Sequence, residues 1–311
     1  MLPRRIVIGT SMHADVARAI HAVRPDLELR DKPDADVTAD DLVWSNTFVG
    51  FRRPPVPSMG NVKWVHCTGA GVDAWLYPAE LPRDILLTRS SESFGTMIAE
   101  WALARALAFT QHLIELADGQ RERKWVARDP SFIRGTRAVV VGTGDVGTNV
   151  ARAFRSLGCE VSGVSRSGKG DLEVFSYVVE VTHLANAVER ADWLILTLPL
   201  TRETRGLVGR EVFSHCRGAV LMNVGRGAVV VESEIPKALD LGWLRGAALD
   251  VFEVEPLPET SPLWDDPRVM ISPHISGPTT VEGALAGFLE CLASIENGEI
   301  PRWAVDRARG Y

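Results

Sequence analysis

The sequence predicts an α/β protein of two doubly wound, parallel-sheet domains, one inserted into the other. Three observations predict it. Short runs rich in Val, Ile and Leu alternate with helical stretches along most of the chain, as in parallel sheets covered on both faces. One such run feeds straight into a glycine-spaced turn and an amphipathic helix. The 311 residues suffice for two domains of ordinary size.

In chain order, "RIVIG" (5–9) reads as a strand, and "HADVARAIHAV" (13–23) carries apolar residues at helical spacing. "DLVWS" (41–45) and "VKWVHC" (62–67) read as further short strands, joined by the proline-rich connection "FRRPPVPSMG" (51–60). A long helix is predicted over 95–119, apolar on more than one face and therefore buried between layers. From about 137 the alternation is more regular. Strands are predicted at "AVVVG", "EVSGV", "WLILTL", "AVLMNV", "GAALDVF" and "VMISP", with "GTNVARAFRSLG" and "ESEIPKALDLG" among the helical connections. A last helix is expected at about 280–297. These patterns place one domain at 1–96 and 277–311 and the inserted domain at 97–276, with hinges near 96 and 276.

Bulk composition narrows the function classes. Hydrophobic residues make up 46% and charged residues 24%, the balance of a soluble globular protein, and no apolar run approaches the length of a membrane span. The N-terminus carries two arginines but only a four-residue apolar run, too short for a signal-peptide core. Cys67, Cys159, Cys216 and Cys291 are scattered without C-x-x-C or metal-ligand spacing, which predicts reduced thiols, a cytoplasmic location and no metal. A net charge of −6, with no basic stretch interleaved with aromatics, argues against a nucleic-acid partner.

Gly142, Gly144 and Gly147 have the spacing G-x-G-x-x-G, directly after an apolar strand and opening a helix near Asp145. The first glycine permits the tight turn, the second lets backbone approach a pyrophosphate, and the third lets helix pack on strand. N–H groups around Asp145, Val146 and Gly147 would face the phosphates. This context predicts a Rossmann-like dinucleotide site. At the end of the next strand stand Ser165, Arg166 and Ser167 where an acid would hold a ribose 2′-hydroxyl. An arginine fork between two serines suits a 2′-phosphate, so NADP is expected over NAD.

Ligands of open α/β sheets gather at the carboxyl ends of the strands. Those ends carry Asn223-Val224-Gly225-Arg226, Asp250 with Glu253 and Glu255, and His274. A cation for a carboxylate and an acid to protonate an oxygen suit the reduction of a keto acid.

The segments "VHCTGAGVDAWL", "LPLTRETRGLVG", "NVGRGAVV", "GAALDVFEVEPLP" and "SPLWDDPRVMISPHISG" resemble, in order, the signatures of the D-isomer-specific 2-hydroxyacid dehydrogenases. The resemblance spans about residues 40 to 311. "SRS" and the ending "VDRARGY" resemble the glyoxylate/hydroxypyruvate reductase branch. It implies a flavodoxin-like substrate-binding domain, an inserted NAD(P)-binding domain and a cleft between them. It implies that Arg226 clamps the substrate carboxylate and polarises the 2-oxo group. His274 would then protonate the carbonyl oxygen, while Glu255 holds the imidazole and favours its charged form. Ala70 and Gly71 would offer N–H groups to the carboxylate. Leu198, Pro199, Val224, Gly225, Arg226, Asp250 and His274 would line the cofactor. Trp44 matches a substrate-loop tryptophan of that branch, with a packing role as the alternative. The segment 46–60 departs from the branch pattern, which leaves substrate size open. The helix at 95–119 and "RERKWVARDPSF" resemble the segment that embraces a second subunit, implying a homodimer in which Trp125 reaches the partner's active site.

The expected function is an NADPH-preferring reductase of small 2-oxo acids, of the glyoxylate and hydroxypyruvate type. Two alternatives stand beside it. One is an NAD-linked dehydrogenase of a larger or phosphorylated substrate, phosphoglycerate type, for which Arg52 and Arg53 are candidate cations. The other is a dinucleotide-sensing binding protein.

Overall fold

The computed structural model describes residues 2–77, 81–90 and 94–310. The chain divides into two compact units, one formed by the segments up to residue 93 and from 279 onward, the other by Phe94–Pro278.

In the first unit, β1 (Arg5–Gly9), α1 (His13–Val23), β2 (Glu28–Lys32), α2 (Ala39–Trp44), β3 (Thr47–Val49), β4 (Trp64–Cys67), α3 (Asp73–Leu76) and β5 (Leu86–Arg89) follow in order. In the second come α4 (Gly95–Thr110), α5 (Leu113–Arg121), β6 (Arg137–Val141), α6 (Asp145–Ser156), β7 (Glu160–Ser165) and β8 (Val178–Glu180). They continue with α7 (Leu184–Ala187), β9 (Trp193–Leu196), α8 (Arg210–His215), β10 (Ala219–Asn223), α9 (Ile235–Asp240), β11 (Leu244–Leu249) and β12 (Val269–Ile271). The last helix, α10 (Val281–Glu296), returns to the first unit.

The first unit is a five-stranded sheet of order β2-β1-β3-β4-β5, the flavodoxin-like arrangement, with every strand pair parallel. Alternation along β1 sends Ile6 and Ile8 to one face and Val7 to the other. The first face is covered by Val16, Ala17 and Ile20 of α1 with Ala284, Phe288, Cys291 and Leu292 of α10. Burial of that stripe requires the chain to come back; Phe288 stacks on Trp64 with ring centroids 5.2 Å apart. Beneath it the buried His66 holds β4 to β5 through Thr88 (2.9 Å) and Ser90 (3.1 Å). Burial pushes its pKa down to about 3, so the ring is neutral there.

The second unit is a seven-stranded parallel sheet of order β12-β11-β10-β9-β6-β7-β8. Val139, Val141, Leu194, Leu196, Leu221 and Leu249 form the middle of one core face. The sheet winds one way from β6 to β7 and the other way to β9, so the carboxyl end of β6 is the topological switch point.

Three expectations change. The segment 41–45 is helix, not strand: Thr38 and Asp41 form a capping box at the start of α2, and the strand begins later, at Thr47. The helix predicted over 95–119 is two, broken where His112 takes a left-handed backbone (φ 52°). Nor is it buried throughout, since Leu107, Leu113, Ile114 and Leu116 are exposed. β2 and β8 were not expected. "ELRDK" and "VVE" are edge strands that bury no alternating apolar face, so no periodicity marks them.

Candidate active site

β6 delivers the glycine turn to the switch point. Gly142 adopts φ 107°, and its N–H donates to Val164 O at 2.8 Å. A Cβ on Gly147 would fall 1.8 Å from Gly142 O, so α6 can pack on the turn only because that atom is missing. A Cβ on Gly144 would meet nothing within 4 Å. Asp145, Val146 and Gly147 form the first turn of α6, where backbone N–H groups lie beyond the reach of intrahelical acceptors. Open space beside Gly144 and the N-terminal end of α6 fit a dinucleotide pyrophosphate. At the end of β7, Ser165 closes a turn on Lys169, accepting its N–H (3.0 Å) and donating to its carbonyl (2.9 Å). Thr143 donates to the same carbonyl at 2.8 Å. The Ser165 hydroxyl is therefore engaged within the turn, while Arg166, Ser167 and Lys169 are exposed. Lys169 adds a cation that the sequence reading overlooked.

Asn223 ends β10 fully buried and builds the following loop. Its Oδ1 accepts from Gly225 N–H (3.1 Å) and its Nδ2 donates to Arg226 O (3.0 Å). A Cβ on Gly225 would lie 2.4 Å from Leu198 O, so the 224–226 backbone runs hard against the Leu198-Pro199 segment after β9. The half-buried Arg226 donates from Nη1 to Gly225 O at 2.9 Å.

After β11 the chain makes the acid-base pair. Glu255 Oε1 accepts from Phe252 N–H (3.1 Å), and Oε2 lies 2.8 Å from His274 Nδ1. Burial pushes the Glu255 carboxyl up, but the hydrogen bonds from His274 and Phe252 and the charges of His274 and Arg226 outweigh it, leaving the pKa below the ordinary value. Arg226 is thus electrostatically coupled to the pair. His274 has a left-handed backbone, φ 55°, at the end of a turn built on Asp250. That carboxylate is completely buried: Oδ1 accepts from Ser272 Oγ (2.6 Å) and Ile275 N–H (3.0 Å), and Oδ2 from Ser276 N–H (2.8 Å). The Asp250 carbonyl accepts from His274 N–H at 2.8 Å. Placed beside the cofactor by family resemblance, Asp250 spends its carboxylate on the turn that carries His274. Sequence reading also missed Asn223 as a builder of the loop; an asparagine at the buried end of a central strand was the available signal.

In the other unit, Ala70 and Gly71 follow the carboxyl end of β4. Arg89 donates to Ala70 O at 2.8 Å, and the ring of Phe51 lies against Gly69. Trp44 is elsewhere, and its expected place in the substrate loop is corrected. It ends α2 and precedes β3, at the amino edge of the sheet, with its ring under the guanidinium of Arg30 (4.1 Å) and near that of Arg5 (5.9 Å). The residues that leave the carboxyl end of β3 are Gly50 to Arg53. Among the described residues no cluster of His, Cys, Asp or Glu could hold a metal ion, and no helix is long and apolar enough to cross a membrane.

Residues 103–276 match the family described as D-isomer specific 2-hydroxyacid dehydrogenase, NAD binding domain. The chain is 34% identical over 297 residues to glyoxylate/hydroxypyruvate reductase A of Serratia proteamaculans, covering 90% of each protein. The D-isomer specific 2-hydroxyacid dehydrogenase of Xanthobacter autotrophicus Py2, solved with NADPH and MES, superposes with a TM-score of 0.88 at 32% identity, over 99% of this chain and 100% of that one. The NADPH-dependent glyoxylate/hydroxypyruvate reductase of Sinorhizobium meliloti, solved with NADP and sulfate, gives 0.88 at 28% identity, over 99% and 100%. The chain therefore belongs to the D-isomer-specific 2-hydroxyacid dehydrogenases, oxidoreductases that use NAD or NADP.

Proposed function

We propose that the protein is an NADPH-preferring reductase of small 2-oxo acids, of the glyoxylate and hydroxypyruvate type, forming D-2-hydroxy acids. The observation that carries this reading is the 2.8 Å contact between His274 Nδ1 and Glu255 Oε2, with the charge of Arg226 reaching the same carboxylate. With its pyrophosphate at the glycine turn, NADPH would supply the hydride when bound. The chain does the rest. Arg226 binds the substrate carboxylate and stabilises negative charge growing on the carbonyl oxygen. Glu255 occupies Nδ1, which leaves Nε2 to give its proton to that oxygen. Ala70 and Gly71 are further N–H donors for the carboxylate.

NADPH preference rests on Arg166, exposed at the end of β7 in a turn with no acid between Ser165 and Gly170, and on Lys169 beside it. We place the protein in the cytoplasm because its four cysteines are scattered, buried and outside any disulfide. We read it as a homodimer because α5 leaves Leu113, Ile114 and Leu116 exposed, Leu116 lining one surface with Trp125 (98% exposed), and Phe132 (84%) is exposed further along the chain. Trp125 is the residue proposed to reach the partner's active site.

The test is cofactor oxidation with glyoxylate, hydroxypyruvate, and larger and phosphorylated 2-oxo acids, each with NADPH and NADH. The small acids with NADPH should give the highest kcat/KM, and His274→Ala should lower kcat by about 10²–10⁴-fold. A preference for a phosphorylated acid, equal use of NADH, or no turnover with any acid would overturn the reading.

A further inference from the structure

A buried chain of hydrogen bonds connects α4 to the turn that presents His274. The indole Nε1–H of Trp101 donates to Ser272 Oγ at 3.0 Å, and Ser272 Oγ–H donates to Asp250 Oδ1 at 2.6 Å. Trp101 and Ser272 are each less than a tenth exposed, and Asp250 not at all. The direction is fixed chemically. An indole can only donate and an ionised carboxylate can only accept, so the hydroxyl between them has one orientation. The carboxylate at the end of this chain also takes the N–H groups of Ile275 and Ser276, on the far side of His274. His274 itself sits in a sparsely populated left-handed conformation, which persists only where its surroundings impose it.

We propose that Trp101 and Ser272 are positioning residues for the reaction: the indole–hydroxyl–carboxylate chain holds the 272–276 turn so that the imidazole of His274 meets Glu255. The proposal rests on His274 being the proton donor, as read above. Neither residue is needed for a merely filled core, since phenylalanine and alanine would pack there without polar atoms to satisfy. The hydrogen-bonding atoms are what the site uses. The charged groups bearing on the turn are Glu255 and Arg226 on the imidazole side, and Asp250 with Arg105 behind it. Arg105 lies over the Trp101 ring at 4.4 Å and is coupled to the Asp250 charge.

The variants are Trp101→Phe, which removes one N–H and keeps the ring, Ser272→Ala, and Ser272→Thr, which restores the hydroxyl. Loosening the turn should cost about tenfold in kcat in Ser272→Ala and less in Trp101→Phe, since small misplacements of a catalytic group are expensive. KM for the 2-oxo acid and the NADPH dissociation constant should stay within about twofold, because the hydrogen bonds of both side chains lead to Asp250 and the 272–276 turn. The alkaline limb of kcat should also move toward acid in both variants, as the imidazole loses its alignment with Glu255. Ser272→Thr should return both values toward wild type. Unchanged kcat and limb in Trp101→Phe and Ser272→Ala overturn the proposal. So does a lower kcat with an unmoved limb that merely follows a loss of folded protein. Turnover lost in His274→Ala but untouched in the other variants refutes this proposal alone, whereas turnover retained in His274→Ala refutes the donor assignment and this proposal with it.

Discussion

Asp250→Asn is a one-atom test of how the fold holds the reaction. Volume and shape are preserved, but the carboxylate now accepts from Ser272 Oγ (2.6 Å), Ile275 N–H (3.0 Å) and Ser276 N–H (2.8 Å) at full burial. In its best orientation the amide oxygen keeps the first two bonds, and the new NH2 faces the N–H of Ser276, donor against donor. One charge-assisted bond, about 1.5–3 kcal/mol, is lost, two fall from charged to neutral strength, and a buried donor costs about 1–3 kcal/mol more. Removing a charge from a fully buried position offsets part of this. A net loss of about 3 kcal/mol remains, which for a unit of this size lowers its melting temperature by about 6–12 °C. With the Ser276 tether gone, kcat should fall about 10–100-fold. Thermal unfolding by circular dichroism and steady-state reduction at saturating NADPH measure the two effects. A melting temperature within about 2 °C of wild type, with normal turnover, would refute the claim that this carboxylate builds the His274 turn.

Three further outcomes follow from the same geometry. Because the Glu255 pKa is lowered in the folded protein, its carboxylate is charged at neutral pH and is neutralised only as pH falls below the ordinary carboxylate range. Glu255→Gln removes the negative partner of a protonated imidazole, so the kcat profile for reduction should lose its alkaline side first; an unmoved limb would mean the wrong pair has been named. Arg166→Ala should raise KM for NADPH several-fold with little change for NADH, since only the former carries a 2′-phosphate; equal effects on both would remove Arg166 from cofactor choice. Light scattering at micromolar concentration should report twice the chain mass, and Trp125→Glu with Leu116→Glu should shift it to monomer; a monomeric wild type would exclude the dimer.

Sequence by itself determined what rests on local chemistry. The apolar strands that end at Val141, Leu196, Asn223 and Leu249 are legible because buried parallel strands need largely apolar runs. The glycine turn is legible because Gly142 must turn sharply, Gly147 tolerates no side chain and Gly144 leaves room for a pyrophosphate, all within six positions. Arg226, Glu255 and His274 stood out as polar residues at the ends of such strands. What carries no local pattern was decided by the tertiary structure. The edge strands Glu28–Lys32 and Val178–Glu180 exist because a neighbouring strand pairs with them, and Trp44 changed edges because Thr38 and Asp41 cap a helix where alternation suggested a strand. The roles of Asp250, Asn223, Ser272 and Trp101 were invisible for the same reason. A buried polar side chain is assigned its work by the donors and acceptors around it, and Trp101 meets Ser272 across 171 positions of sequence. Spacing along a chain can nominate residues for a site, but only packing fixes which nitrogen faces which oxygen, and the chemistry depends on that.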